Sequence, residues 1–151
     1  MQNVFDAKDA QEYINRINNL TPETQRKWGK MSVDQVLAHL NVAYDLIFTP
    51  EKFPKPSFIA KFLLSKFVKP KITNEIPYKQ SLPTSPAFII ADERNFEEEK
   101  AKLIGNIQRV QQLGREAFEG KENINFGKMT AQCWNNMFAK HLNHHLDQFG
   151  V

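Results

Sequence analysis

Four histidines occur in this chain, at positions 39, 141, 144 and 145, and three of them fall within five residues near its end. Imidazole is the commonest protein metal ligand and titrates near neutrality. His141 and His145 stand four residues apart, about one helical turn, so on a helix they share a face while His144 points elsewhere. That spacing alone also suits hydrogen-bonded core histidines, and both readings stay open on it. The HExxH zinc-protease pattern is excluded, because Leu142 stands where the glutamate would be.

A local repeat relates the fourth histidine to this pair. Gly29-Lys30-Met31-Ser32 and Gly127-Lys128-Met129-Thr130 each introduce a histidine-bearing helix, with Ser32 or Thr130 as the cap. Counted from its cap, His39 lies seven residues on, His141 eleven and His145 fifteen, so every step is about one turn. Along the axis His39 lies about 10 Å from the start of its helix, and His145 and His141 lie roughly 6 and 12 Å from the end of theirs. Antiparallel neighbours would bring the three imidazoles to one height, and parallel neighbours would not. Three neutral imidazoles around a dication, with a position left to water, is the pattern of a catalytic metal site.

The elements that must position these residues are helical. Ala10, Tyr13, Ile14 and Ile17 recur at helical spacing behind Asp6, a cap candidate. Thr21-Pro22-Glu23 reads as a short helical turn leading to Trp28. Ser32-Val33-Asp34-Gln35 is a capping box for a helix to Phe48, with Val33, Val36, Leu40, Ala43 and Ile47 inward. Seven prolines then punctuate residues 49–91, a long crossover with one helix at about Ser57 to Val68. Asp92 is the expected cap of a helix to Leu113 that turns Phe96, Leu103, Ile104, Ile107 and Val110 inward, with Gly114 as its stop. The last helix runs from Thr130 to Phe149. The predicted fold class is all-α: an antiparallel four-helix bundle whose crossover lets two consecutive helices run parallel and carries a short extra helix.

Composition sets the class. At 151 residues the chain fits a single domain over 1–151, enough to bury about 70% of its unfolded surface. A balance of 20 basic against 17 acidic residues, +3 net, gives no reason to expect nucleic acid. No apolar run reaches the ~18 residues of a membrane span, and the acidic start MQNVFDAKDA lacks the basic region of a signal peptide, so the expectation is a cytoplasmic protein. The lone Cys133 excludes an internal disulfide and a CxxC zinc site.

GKMSVDQVLAHL, followed much later by HLNHHLDQF, resembles the DinB-like (YfiT-like) superfamily of metalloenzymes, whose helices carry an L-x-H element and a terminal H-x-x-H-H-x-x-Q element. Trp28-Gly29-Lys30-Met31, Phe126-Gly127-Lys128-Met129 and the ending His-His-Leu-Asp-Gln-Phe-Gly look like a bacterial subfamily of it, a domain of unknown function. The resemblance spans nearly the whole chain, with only the histidine elements specific. It implies a left-handed up-down-down-up bundle binding a divalent metal ion, zinc or nickel, through His39, His141 and His145, and often a homodimer. His144 matches a middle histidine that is not a ligand. Many relatives read His-His-Arg-Gly-Gln where this chain has His144-His145-Leu146-Asp147-Gln148, so whatever that arginine does is not inherited. Members with assigned chemistry are transferases and isomerases that use bacillithiol, mycothiol or glutathione. The implied function is a metal-dependent transferase or hydrolase acting on a small molecule, with a low-molecular-weight thiol as partner.

Other features bear on that function. Six lysines and no acid lie between Lys52 and Lys71, interleaved with Phe53, Phe58, Phe62, Leu63, Leu64 and Phe67. The main expectation is a helix packed by its apolar stripe over the bundle mouth, with solvated lysines. The alternatives are a basic lid over the metal, or a non-catalytic bundle that binds a membrane surface or protein partner through hairpin 52–71. Trp28 and Trp134 read as core, and Asp45, Asp147 and Gln148 as candidate partners of the ligands or proton acceptors, with surface placement the main expectation for Asp147. Cys133 precedes His141 by eight residues, about 12 Å along a helix, too far to reach a metal held by His141 and His145.

Overall fold

In the computed structural model, which describes residues 1–151, each long helix starts where a side chain satisfies its free amides. The Asp6 carboxylate accepts the N–H groups of Lys8 and Asp9, opening α1 (Ala7–Asn18). Thr24 then closes a turn on Thr21, and no helix follows where a helical turn is expected. The Ser32 N–H donates to the Gln35 carboxamide at 3.0 Å, opening α2 (Val33–Phe48). In the crossover lie α3 (Phe58–Leu63), a π-helical turn over Leu64–Val68, and α4 (Lys69–Thr73). Helix α5 (Phe96–Leu113) is capped by Asn95 rather than Asp92. Asp92 is engaged otherwise: its carboxylate pairs with Arg94, and its carbonyl accepts from Gln35. Thr130 caps α6 (Ala131–Phe149), which stops at Gly150 in the left-handed region, φ 77°. Two-residue strands, β1 (Glu122–Asn123) and β2 (Gly127–Lys128), pair antiparallel between α5 and α6. The chain is thus mostly helical, an all-α fold with one minimal hairpin.

Pairings between helices fix their directions. Asp34 meets Arg94, Asn41 meets Glu99 and Asp45 meets Lys102, so α2 and α5 run the same way. Val4 meets Asn135, Tyr13 meets Ala139 and Arg16 meets Asn143, so α1 and α6 also run together. Tyr44 stacks on Phe138 at 4.7 Å while His39, nearer the start of α2, meets His141. Helices α2 and α6 are therefore antiparallel, the arrangement that levels the histidines.

One hydrophobic cluster of 25 buried residues draws on all four long helices. Ala10, Tyr13, Ile14 and Ile17 of α1 are buried as their spacing predicts, as are Val33, Val36, Leu40 and Ala43 of α2, and Phe96, Leu103, Ile107 and Val110 of α5. Ile47 and Ile104 pack at the rim. Trp134 is fully buried between the rings of Phe118 and Phe138, directly below the histidines on α6. Such packing holds α6 in one rotation, because a turned helix would expose those rings and leave voids.

The crossover departs from expectation. Helix α3 and the π-helical turn after it dock through Ala60, Lys61, Leu64 and Ser65, with Lys61 paired to Glu122 and the Ser65 hydroxyl donating to the Phe126 carbonyl. Phe58, Ile59, Phe62, Leu63 and Phe67 face solvent instead, Phe58 at 87% exposure. The expected packing of that stripe over the bundle mouth does not occur. Anchoring by polar groups to the β1–β2 hairpin sets the helix rotation, and the apolar side is left outward.

Candidate metal centre

The Gln35 cap and the α2 stripe turn His39 inward, and the Trp134–Phe138 ladder does the same for His141 and His145. His39 and His145 are 4% and 7% exposed, and His141 is half-buried. Ring centroids are separated by 4.6 Å for His39 and His145, and by 4.9 Å for each pair that includes His141, a nearly equilateral triangle. One ligand atom from each ring lies within 4.8 Å of the others, and the Nε2 atoms of His39 and His141 are 2.9 Å apart.

Hydrogen bonds at the far side of two rings assign their protons. His39 Nδ1 lies 2.8 Å from the Phe88 carbonyl oxygen, which can only accept, so Nδ1 carries the hydrogen. His145 Nδ1 lies 2.8 Å from Gln148 Oε1. The Gln148 amide is itself oriented, since its Nε2 donates to the Trp28 carbonyl at 2.8 Å, and Oε1 must accept from His145. In neutral rings both Nε2 atoms then present lone pairs. Ligating histidines are held in just this way, by an acceptor on the other nitrogen. The donor set fits a divalent ion that favours imidazole nitrogen.

Burial pushes all three imidazoles toward the neutral form. His39 titrates below its ordinary value through desolvation; His141 lies well below it through desolvation and then its histidine neighbours; and desolvation, with His39 nearby, takes His145 down to about 3. Two consequences follow for pH. Unfolded imidazoles take protons near 6.5 while the folded ones resist, so without metal the cluster's contribution to stability is complete above that value. It declines as pH falls below 6.5, toward about 3 for His145. Metal affinity is also protected from protons. Three exposed histidines would lose about fiftyfold in affinity between pH 7.5 and 6, and this cluster is expected to lose less than that, as measured by competition with a chromophoric chelator.

His144 stays outside the cluster. Its ring lies between Trp28 and Tyr78, at 6.1 and 5.6 Å, and lines a cleft of about 390 Å³ with Lys140 and Asp147. Of the other candidates only Gln148 touches a clustered histidine; Asp45 bonds Lys102, and Asp147 pairs with Arg16 at the surface. Trp134 is core, whereas Trp28 is half-buried at the cleft. Phe88 is the residue the sequence reading missed. It lies in the proline-rich crossover, in the turn Pro86–Phe88, and recruits His39 through a backbone carbonyl that no side-chain pattern encodes. Its ring also stands over His39 and His141, at 5.3 and 5.8 Å.

Fold and site define an all-α protein with a buried three-histidine cluster. Residues 2–150 match the family described as protein of unknown function, DUF1569, and the chain belongs to that family. No curated protein and no solved structure matches it.

Proposed function

We propose that this protein is a metal-dependent enzyme of the DinB-like class, a single-domain four-helix bundle with an up-down-down-up course, whose divalent ion, zinc or nickel, is held by His39, His141 and His145. The convergence of the three rings carries the proposal: one ligand atom from each lies within 4.8 Å of the others, and two of the rings are oriented from behind by acceptors, as ligating imidazoles are. The paired directions of α1 with α6 and of α2 with α5 support the bundle course. Bound there, a divalent ion supplies Lewis acidity, lowering the pKa of water or a thiol and stabilising a developing anion. The chain's own residues do the rest. The Phe88 carbonyl and Gln148 fix two imidazoles by their Nδ1–H groups, and the Phe88 ring packs edge-on against His39 and His141.

The reaction proposed is thiol transfer to an electrophile, with hydrolysis as the rival. The chain's own thiol, Cys133, lies two turns back along α6 and is not the nucleophile. Protein purified without an affinity tag is expected to carry about one equivalent of metal per chain, the ratio set by one three-histidine site. Turnover of electrophilic substrates should require added bacillithiol or glutathione and survive Cys133→Ser. Thiol-independent turnover would favour hydrolysis. Absence of metal after supplementation would overturn the proposal.

A further inference from the structure

The outward side of α3 joins two features that rarely coincide on a surface: a contiguous row of large apolar side chains and a high density of unpaired lysines. Phe58 and Phe62 lie four residues apart on one face, and the π-helical turn at Leu64–Val68 brings Phe67 onto that face at a five-residue step. The Lys66 ammonium sits 5.9 Å from the Phe62 ring and 5.6 Å from the Phe67 ring, which places both beneath one cation. Ile59 and Leu63 widen the patch at 71% and 47% exposure. Of the six lysines from Lys52 to Lys71, only Lys61 forms an ion pair, with Glu122, while Lys128 adds a further positive charge on the supporting hairpin. Solvated apolar patches of this kind mark a surface with a partner.

We propose that this face seats the protein on an anionic membrane surface, the phenyl rings entering the headgroup boundary and the lysines meeting lipid phosphate. An apolar face with lysines at its margins is the make-up of helices that lie in the interfacial plane. No helix here is long and apolar enough to cross a membrane, so the attachment is peripheral. Charge decides against the simplest rival occupant, a second copy of the chain. A twofold pairing through α3 would oppose two lysine-rich rims directly, whereas an anionic bilayer complements them. The anchorage of residues 58–69 by Lys61, Ser65 and Lys69 to residues 122–128 holds the face outward before any partner arrives, so little ordering is required on contact.

The test is flotation of the full-length protein with phosphatidylcholine vesicles, alone or with one-third phosphatidylglycerol, alongside sedimentation without lipid. The protein should float with the anionic vesicles, not with the neutral ones, and the binding should weaken with salt. Replacing Lys52, Lys55 and Lys66 together by Gln should lower partitioning by about a hundredfold, at about fivefold per lysine near an anionic surface. Replacing Phe58, Phe62 and Phe67 together by Ser should lower it at least about tenfold. These side chains are exposed, so circular dichroism and metal content should not change, and the outcome is separable from that of the metal site. Equal binding to both vesicle types, or to neither, would overturn the proposal. So would a dimer that the Phe→Ser variant dissociates, or capture by polyglutamate without vesicle binding, which would assign the face to self-association or to an acidic protein.

Discussion

Alanine at His39, His141 or His145 is expected to lower affinity for zinc or nickel by two orders of magnitude or more, and alanine at His144 to leave it within about threefold. The asymmetry is geometric. His144 and His145 are sequence neighbours with ring centroids 4.9 Å apart, yet only His145 shares the triangle with His39 and His141. Each of those three offers a nitrogen toward a common centre, whereas the His144 ring is turned to Trp28 and Tyr78. Removing one of the three leaves two imidazoles, and an ion that must recruit water to replace a preorganised nitrogen. Calorimetric titration of the four variants decides the matter, with circular dichroism to confirm the fold. Equal loss at His144 would show that the ion sits nearer the cleft than the triangle. Retained affinity at any one of the other three would remove that residue from the ligand set.

How much of this was legible follows from where each contact is encoded. Caps and stripes are local, and the cap-to-histidine offsets therefore located the facing rings, which the antiparallel pairing of α2 and α6 then levelled. Gln148 was visible because it lies one turn from His145 on the same helix. Phe88 was not, since a backbone carbonyl delivered by a loop leaves no residue preference behind. The start of α5 was missed by three residues because Asp92 and Asn95 are both good caps, and contacts from α2 to Arg94 and Asp92 select the second. The rotation of α3 was misjudged for a similar reason. Periodicity identifies an apolar stripe but not which side finds a neighbour, and polar contacts to the hairpin decided it.

The repeated Gly-Lys-Met entry has a physical basis that leads to the second large effect. Gly29 and Gly127 both adopt left-handed backbone, φ 84° and 68°, where a side chain costs about 1–2 kcal/mol. At Gly29 there is a further constraint, because a Cβ would collide with the Gln148 amide nitrogen that donates to the Trp28 carbonyl. Gly29→Ala is therefore expected to do two things at once. It should destabilise the fold by about 1–2 kcal/mol through backbone strain. It should also displace Gln148, freeing the His145 Nδ1–H and lowering metal affinity by about 10- to 100-fold, the usual cost of losing a partner behind a ligand. Gln148→Ala separates the two, since it removes the His145 partner without straining residue 29 and should reproduce the affinity loss. Gln148→Glu tests the sign of the effect: a carboxylate still accepts from His145 Nδ1 and makes the ring a stronger donor, so affinity should be held or raised although the bond to Trp28 is lost. Affinity unchanged in both Gly29→Ala and Gln148→Ala would mean that the His145 ring needs no fixing from behind, and that the glycine serves the turn alone.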